Sequence, residues 1–242
     1  MRVALQPAYV LHSRPYRDSS AILEVFTAEH GRISIIGKGT RRRSRGGSDA
    51  ALLQPFTPLL LSFSGRAELK TLTQVEPAGA PLGLRGDRLY SGLYLNELLV
   101  RLLHRHDPHP ALFAAYGESL GALATAVAVD PVLRRFELGL LHDLGYSFPL
   151  DTEGQGGESL REDAWYHYDP ELGLVASNGP DPARAAYLGR DLLRAAHGDF
   201  EGDARTAAKR LMREALAVHL GGTPLRSREL FRAQRTNMGD KP

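Results

Sequence analysis

"ELKTLTQVEPAGAPLGLRGDRLYSGLYLNELLV", residues 68–100, contains a change of hydrophobic period that divides the chain. Its first part alternates, with Leu69 and Val75 at the two ends of a run that is typical of a β-strand. After Asp87 the apolar residues recur at helical spacing, as in Leu95, Leu98 and Leu99. We therefore expect β-structure before this stretch and helices after it.

Upstream of residue 68, four more short runs are rich in Val, Ile, Leu and aromatic residues and are separated by turn clusters such as "EHGR" and "SGRA". These runs cover residues 4–12, 21–27, 32–39 and 58–64. Five strands within about 75 residues, with no helix signal between them, predict a small closed or nearly closed barrel. The oligonucleotide-binding (OB) barrel and the SH3-like barrel both fit this pattern.

Downstream, helices are predicted from a capping Asp or a Pro at the start and a Gly at the end. The predicted helices run from an Asp87 cap to Asp107-Pro108, from Pro110, from an Asp130 cap to Gly145, from Asp181-Pro182 to Gly198, from about Ala204 to Leu220, and after Ser227. The fold class is therefore α+β, with a barrel followed by a helical bundle.

Residues 146–180 interrupt the helical pattern with a stretch rich in Gly, Asp and Glu. A hairpin through "AWYHYD" and "LGLVAS" fits inside it, and the rest is expected to be irregular. The predicted domains are a barrel over 1–79, a helical domain in two parts over 80–145 and 181–242, and the excursion over 146–180. The helices on the two sides of the excursion are expected to pack in one bundle.

The net charge of +2 hides a polarised distribution of charged residues. Residues 1–86 carry twelve Lys and Arg against six Asp and Glu, residues 87–180 carry six against fourteen, and residues 181–242 carry twelve against eight. Acidic and basic parts on one chain suggest one surface for polyanions and another for a different partner.

The stretch "GKGTRRRSRGG", residues 37–47, concentrates cations between glycines, which is typical of an exposed loop with an anionic partner. Phosphates attract such cations, and unpaired bases also stack on aromatic rings. Most aromatics of the first part are expected in the barrel core, with Tyr16 the most exposed of them. Ten of the twelve cations of this part are candidates for polyanion contact: Arg14, Arg17, Arg32, Lys38, Arg41, Arg42, Arg43, Arg45, Arg66 and Lys70.

Several other kinds of chemistry are not indicated. The chain has no cysteine, which excludes disulfides and thiolate metal sites. "GRISIIGKGT" has neither the spacing nor the Ser or Thr after lysine that a phosphate-binding P-loop needs. His104, His106 and His109 are separated by a helix-breaking Asp107-Pro108, so no metal site is expected there. We therefore expect no catalytic activity, no cofactor and no metal.

No stretch approaches the roughly 20 apolar residues of a membrane span, and Gln6 and Pro7 interrupt the N-terminus where a signal peptide would be apolar. We therefore expect a cytoplasmic protein that does not bind membranes.

"AYVLHSRPYRDSSAILEVFTAEHGRISIIGKGTRR", "LRRFELGLLHDLGY" and the terminal "LRSRELFRAQR" together closely resemble the RecO family of bacterial recombination mediators in the RecF repair pathway. The resemblance covers nearly the whole chain and implies an OB-fold followed by a helical domain. Many family members insert a four-cysteine zinc module after the "LGY" helix. This chain departs from that pattern, and packing of Trp165, Tyr166 and Tyr168 is expected to hold the excursion instead.

The resemblance also implies a function. Such proteins bind single- and double-stranded DNA, anneal complementary strands, contact RecR and engage the tail of single-strand-binding protein (SSB), which helps RecA load. By this analogy the protein works at the nucleoid and the basic loop is the DNA-binding element. The predicted DNA-binding residues are Arg14, Arg17, Lys38, Arg41, Arg42, Arg43, Arg45, Arg66, Lys70, Arg205, Lys209 and Arg210.

Three points stay open at this level. The C-terminal cations Arg205, Lys209, Arg210 and Arg213 could extend the DNA path, receive an acidic peptide tail, or simply line a solvated helix face. The barrel and the basic loop alone would equally suit an RNA-binding module. A scaffold that binds only proteins, with a loop that aids solubility, is the other alternative.

Overall fold

The computed structural model describes residues 2–40, 49–125, 128–182 and 184–231. The chain divides into two compact units, one from residues 1–126 with 224–242 and the other from residues 127–223. This division is drawn differently from the predicted domains, because the first two long helices belong with the barrel and not with the later helices.

The first unit is built on a closed barrel with the strand order β1-β2-β3-β5-β4. Neighbouring strands are antiparallel except for β3 and β5, which are parallel. This confirms the predicted five-stranded barrel, in the OB arrangement. A four-residue helix, α1 (Asp49–Leu52), lies between the third and fourth strands and was not predicted. The strands are β1 (Arg2–Tyr16), β2 (Ser20–Thr27), β3 (Gly31–Gly37), β4 (Leu59–Ser64) and β5 (Leu69–Pro77).

The barrel core is aliphatic, with Leu23, Ile33 and Phe63 among its buried side chains. Because successive side chains of a strand point to opposite faces, Phe26 lies on the outer side of the barrel. The prediction that the aromatics fill the core is right for Phe63 and wrong for Tyr9 and Phe26. Their rings are instead packed against a helix.

Three more helices of the first unit lie within the described residues: α2 (Asp87–Leu102), α3 (Pro110–Ala124) and α7, which is described over 226–231. Pro110 starts α3 as predicted. The predicted Asp87 cap is wrong, because Gly86 is the N-cap and Asp87 lies in the first turn, where its charge still favours the helix dipole. Helix α2 ends five residues before the predicted Asp107, so residues 103–109 form a connection between α2 and α3.

An aromatic cluster joins the barrel to α3. The rings of Tyr9 and Phe26 lie 5.1 to 6.2 Å, between centroids, from those of Phe113 and Tyr116. Such tilted and edge-on pairs add to the energy of simple burial.

A buried polar chain runs through the same seam. The Tyr116 hydroxyl donates to Asn96 Oδ1 at 2.5 Å, and Asn96 Nδ2 donates to the carbonyl oxygen of Leu11 at 2.9 Å. The network gives hydrogen-bond partners to polar groups whose burial would otherwise cost free energy. Because it links Tyr116 of α3, Asn96 of α2 and Leu11 of β1, it also fixes both helices to that strand.

The chain returns to the first unit at α7. The backbone amides of Arg226 and Ser227 donate to the Glu97 carboxylate at 2.9 Å, and the rings of Tyr90 and Phe231 lie 5.5 Å apart. A carboxylate that accepts from the first amides of a helix acts as its cap. Glu97 therefore anchors the helix that was predicted after Ser227, across 130 residues of sequence.

Replacing Asn96 with alanine is expected to lower the free energy of unfolding by about 2 kcal/mol, because it removes the two buried hydrogen bonds that join Asn96 to Tyr116 and to Leu11. Denaturant titration measures the loss. Gln74→Ala is the control, since it removes an exposed amide and should cost less than about 0.5 kcal/mol. Equal losses in the two variants would contradict the role of the network.

The second unit combines three helices with a three-stranded sheet of order β7-β6-β8. Helix α6 contacts α4, α5, β6 and β8, which places it at the centre of the unit. The predicted hairpin in the excursion is confirmed by β6 and β7. The elements are α4 (Val129–Asp143), β6 (Trp165–Asp169), β7 (Gly173–Ser177), β8 (Tyr187–Leu188), α5 (Gly189–Ala196) and α6 (Gly202–Leu220).

Two predicted helix starts in this unit are wrong. Ala128 is the N-cap of α4, with Asp130 in the first turn. The helix predicted from Asp181-Pro182 begins only at Gly189, because Asp181 pairs with Arg184 in a β-bridge and residues 187–188 join the sheet. The predicted stops at Gly145 and Gly198 fit, since both follow a helix end with a φ of +79° that favours glycine.

Candidate nucleic-acid interface

The basic loop leaves the barrel beside the β1–β2 turn. In the strand register Pro15 lies opposite Ala21, and Ala21 lies opposite Gly37, the last residue of β3. Lys38 follows Gly37 directly and is exposed. The predicted site residues Arg41, Arg42, Arg43 and Arg45 lie outside the described residues. We call this end of the barrel, formed by residues 14–20 and 36–38, the loop end.

The outer face of β2 and β3, with the β1–β2 and β4–β5 loops, is the surface on which OB-folds bind oligonucleotides. Here one half of that face is covered by the chain's own connection between α2 and α3. Phe26 packs against α3, and the backbone amide of His106 donates to the Arg32 carbonyl at 3.0 Å. This half is therefore closed to a ligand in the structure.

An ion-pair cluster holds the connection to the face. Glu24 of β2 accepts from Arg32 Nη1 at 3.1 Å and from Arg105 Nη2 at 3.2 Å, and Arg105 also pairs with Glu68 of the β4–β5 turn. Burial lowers the pKa of Arg32, while the negative charge of Glu24 acts to raise it. Arg32 and Arg105 are thus engaged by carboxylates, and sequence reasoning did not identify this cluster.

The part of the same face toward the loop end carries exposed and half-exposed side chains beside Ile22, which is buried. Arg14 lies opposite Ile22, and Ile22 lies opposite Ile36, so their side chains share the outer face. Two residues further along β1, Tyr16 lies on that face as well and is half-exposed. The strand register places three of the predicted residues at the loop end: Arg14, Arg17 and Lys38. All three are exposed.

Arg66 and Lys70 lie across β3 from these three. Both belong to the β4–β5 turn region, and Lys70 lies opposite Ile35 of β3, one residue before the loop end begins at residue 36. Arg66 is exposed, whereas Lys70 is only 7% exposed and its Nζ donates to the Ala67 carbonyl at 2.8 Å. The Lys70 ammonium is therefore committed to the fold in this structure. The burial of Lys70 could not be predicted from the sequence, because a lysine fits the pattern of an alternating strand as well as that of a phosphate-binding site.

In the second unit, the predicted residues of α6 form an exposed basic face. Arg205, Lys209 and Arg213 follow one another at intervals of four residues and therefore share one side of the helix. Lys209 Nζ lies 3.6 Å from Asp130 Oδ1, and the Arg210 guanidinium lies 5.7 Å from the centre of the Tyr187 ring. Lys209 and Arg210 thus have partners within the unit, while their exposure leaves them accessible to anions.

Comparison with protein families decides what this barrel belongs to. The model for the N-terminal part of recombination protein O matches residues 1–81, and the model for its C-terminal part matches residues 84–229. The chain belongs to the RecO family.

Relatives at high identity support the same conclusion. The chain is 47% identical to the DNA repair protein RecO of Methylococcus capsulatus over 96% of its length and 94% of the relative's. It is 46% identical to that of Haemophilus influenzae, over 96% and 97%. The RecO family acts in DNA repair and recombination. In the part of the chain that the structure describes, no helix is long and apolar enough to cross a bilayer.

The excursion, residues 146–180, carries no cysteine, and aromatic side chains lie in its interior. Tyr166 and Tyr168 are buried, as expected, and Trp165 is half-buried. The Tyr166 hydroxyl accepts from the Arg161 amide at 2.8 Å, and the ring of Tyr168 lies 4.8 Å from that of Phe148. Over the described ranges, no group of three His, Asp or Glu side chains is placed to hold a metal ion.

We predict that the protein holds no stoichiometric structural zinc. The excursion does not supply the four ligands of a tetrahedral zinc site, and the tyrosines occupy its interior. Metal analysis of chelator-washed protein should find well below one zinc per chain. The melting temperature should be the same before and after chelation. One tightly held zinc per chain would contradict this prediction.

Proposed function

We propose that this RecO-family protein is a recombination mediator that binds single- and double-stranded DNA and anneals complementary strands. Together with RecR it helps RecA load onto DNA coated with SSB. It does this at the nucleoid and as a binding protein, without catalysis of its own.

The observation that carries the proposal is the exposed cationic loop end of the barrel. Arg14, Arg17 and Lys38 converge there, and the chain leaves this end into a stretch with four more arginines. Phosphate contacts of this kind bind without regard to base sequence, which suits a protein that must act wherever a strand has been exposed. Annealing is compatible with such contacts, because a strand held mainly by its phosphates keeps most of its bases free to pair.

The acidic residues of 87–180 would repel DNA, so this part is better suited to shaping the helices and meeting proteins. The basic face of α6 has the opposite character. It either extends the DNA path or receives the acidic SSB tail, and both uses follow from exposed cations at regular helical spacing. RecR is the further partner that family membership supports.

Titration of a labelled single strand with and without RecR tests the proposal. We expect binding that weakens steeply with salt, tighter binding with RecR, and faster annealing of a complementary strand in a mixing assay. An unlabelled RNA strand of matched sequence should compete less well than DNA. Preference for RNA would favour an RNA-binding module, and absence of salt-dependent binding to either strand would favour a protein-only scaffold.

A further inference from the structure

We propose that Tyr16 and Arg17 form a base-stacking platform that gives the loop end its preference for single strands over duplex. The proposal rests on the proposed function, since it assumes that the loop end receives DNA. It adds a role for unpaired bases to the phosphate contacts of the neighbouring cations.

The first observation is the geometry of the β1–β2 turn. Tyr16 ends β1 opposite Ser20, the first residue of β2, and the turn between them begins at Arg17. Arg17 has a φ of +52°, a left-handed conformation that is unfavourable for a residue with a Cβ. Unfavourable backbone conformations of this kind concentrate at binding loops, where the position of the side chain matters more than the local energy.

The second observation is the contact that this conformation permits. The Arg17 guanidinium carbon lies 5.2 Å from the centre of the Tyr16 ring, within cation–π distance. The ring is half-exposed and the guanidinium is exposed, so the pair offers flat surfaces to solvent. Aromatic rings and guanidinium planes are the side-chain groups on which bases stack.

The third observation separates Tyr16 from the other outer-face rings of the barrel. Tyr9 and Phe26 are in ring contact with Phe113 and Tyr116 of α3 and serve the seam. Tyr16 lies at the loop end, opposite Ser20, and is half-exposed. Among the described residues, the ring contacts between the barrel and α3 are made by Tyr9 and Phe26.

The net charge of the turn is small, so Arg17 can take part in base stacking as well as in phosphate contacts. Asp18 is exposed beside Arg17, so the two charges nearly cancel within the turn. Lys38 and Arg14 supply the phosphate-binding charge nearby; the backbone at residue 37, next to Lys38, is two strand spacings, or about 10 Å, from that of Pro15. A strand whose phosphates lie on these cations has its unpaired bases within reach of the platform, whereas bases in a duplex are already stacked.

The test compares affinities for a labelled single strand and for the matching duplex. Tyr16→Leu keeps an apolar side chain and removes the ring, and we expect it to weaken single-strand binding about tenfold while duplex affinity and the salt slope stay unchanged. Tyr16→Phe keeps the ring and should bind as the wild type does. Lys38→Gln is the phosphate-side control and should weaken both substrates together.

Tyr16→Trp adds a direct readout, because stacking of a base on the new indole should quench its fluorescence when single strand is added and not when duplex is added. Unchanged single-strand affinity in Tyr16→Leu, or equal loss on strand and duplex, would overturn the platform while leaving the proposed function intact. Failure of the wild type to bind either DNA would overturn both. Melting temperatures of the variants confirm that each is folded.

Discussion

Replacing Gly31 with alanine is expected to lower the free energy of unfolding by about 3 kcal/mol or more. Gly31 has a φ of +61°, and a Cβ added there would lie 1.9 Å from the carbonyl oxygen of Asp107. That oxygen belongs to the α2–α3 connection, which crosses the β2–β3 face at this point. The added methyl group would push the connection off the barrel and break the hydrogen bond from His106 to Arg32. Denaturant unfolding measures the loss.

Gly39→Ala is the matched control. Gly39 is also left-handed, with a φ of +72°, but a Cβ there meets none of the described residues within 4 Å. It should therefore cost only the conformational penalty of about 1 kcal/mol. If the two alanine variants lose the same stability, the tight contact between the barrel and the connection is not what holds the covered half of the face closed.

Neutralising the basic loop is expected to have the largest effect on DNA binding. Replacement of Lys38, Arg41, Arg42, Arg43 and Arg45 with glutamine should remove about 3 to 4 units from the log–log salt slope of single-strand binding, if all five contact phosphates. A partial set of contacts would lose proportionally less. Affinity measured over a range of salt concentrations gives the slope directly.

The same five-fold variant should leave two other properties nearly unchanged. Preference between base sequences should stay the same, because phosphate contacts position a strand without reading its bases. The free energy of unfolding should change by no more than about 0.5 kcal/mol, since the substitutions relieve repulsion among five cations that are close in sequence. A large loss of stability would show that these cations serve the fold and would remove them from the DNA site.

The parts of the fold that the sequence predicted are those with a strong local signal. Alternating residues in the barrel strands and the helical period after Asp87 hold over many positions, so each element was recognisable alone. The two-residue strand β8 is too short to show a hydrophobic period. The Asp181-Pro182 pair has the sequence of a helix start, but in the structure Asp181 pairs in a β-bridge. Short elements that depend on a distant partner therefore escaped prediction.

The candidate site shows the same limit. The cations at the loop end could be found because charge clusters are visible in sequence. The cover over half of the OB face could not, because it depends on contacts such as Arg105 with Glu24 and Asn96 with Leu11, which join residues 81 and 85 positions apart. The burial of Lys70 belongs to the same class, since its partner at Ala67 becomes apparent only in the folded turn.

The central claim is that DNA binds at the loop end of the barrel, and one comparison tests it most directly. Single-strand affinity is measured against salt for the wild type, for the five-fold loop variant, and for a variant with Arg205, Lys209, Arg210 and Arg213 of α6 replaced by glutamine. The loop variant should give the shallower line, and the α6 variant should lose less slope than it does. A loop variant that runs parallel to the wild type with equal affinity, beside an α6 variant that loses its slope, would contradict the claim and place the DNA site on α6.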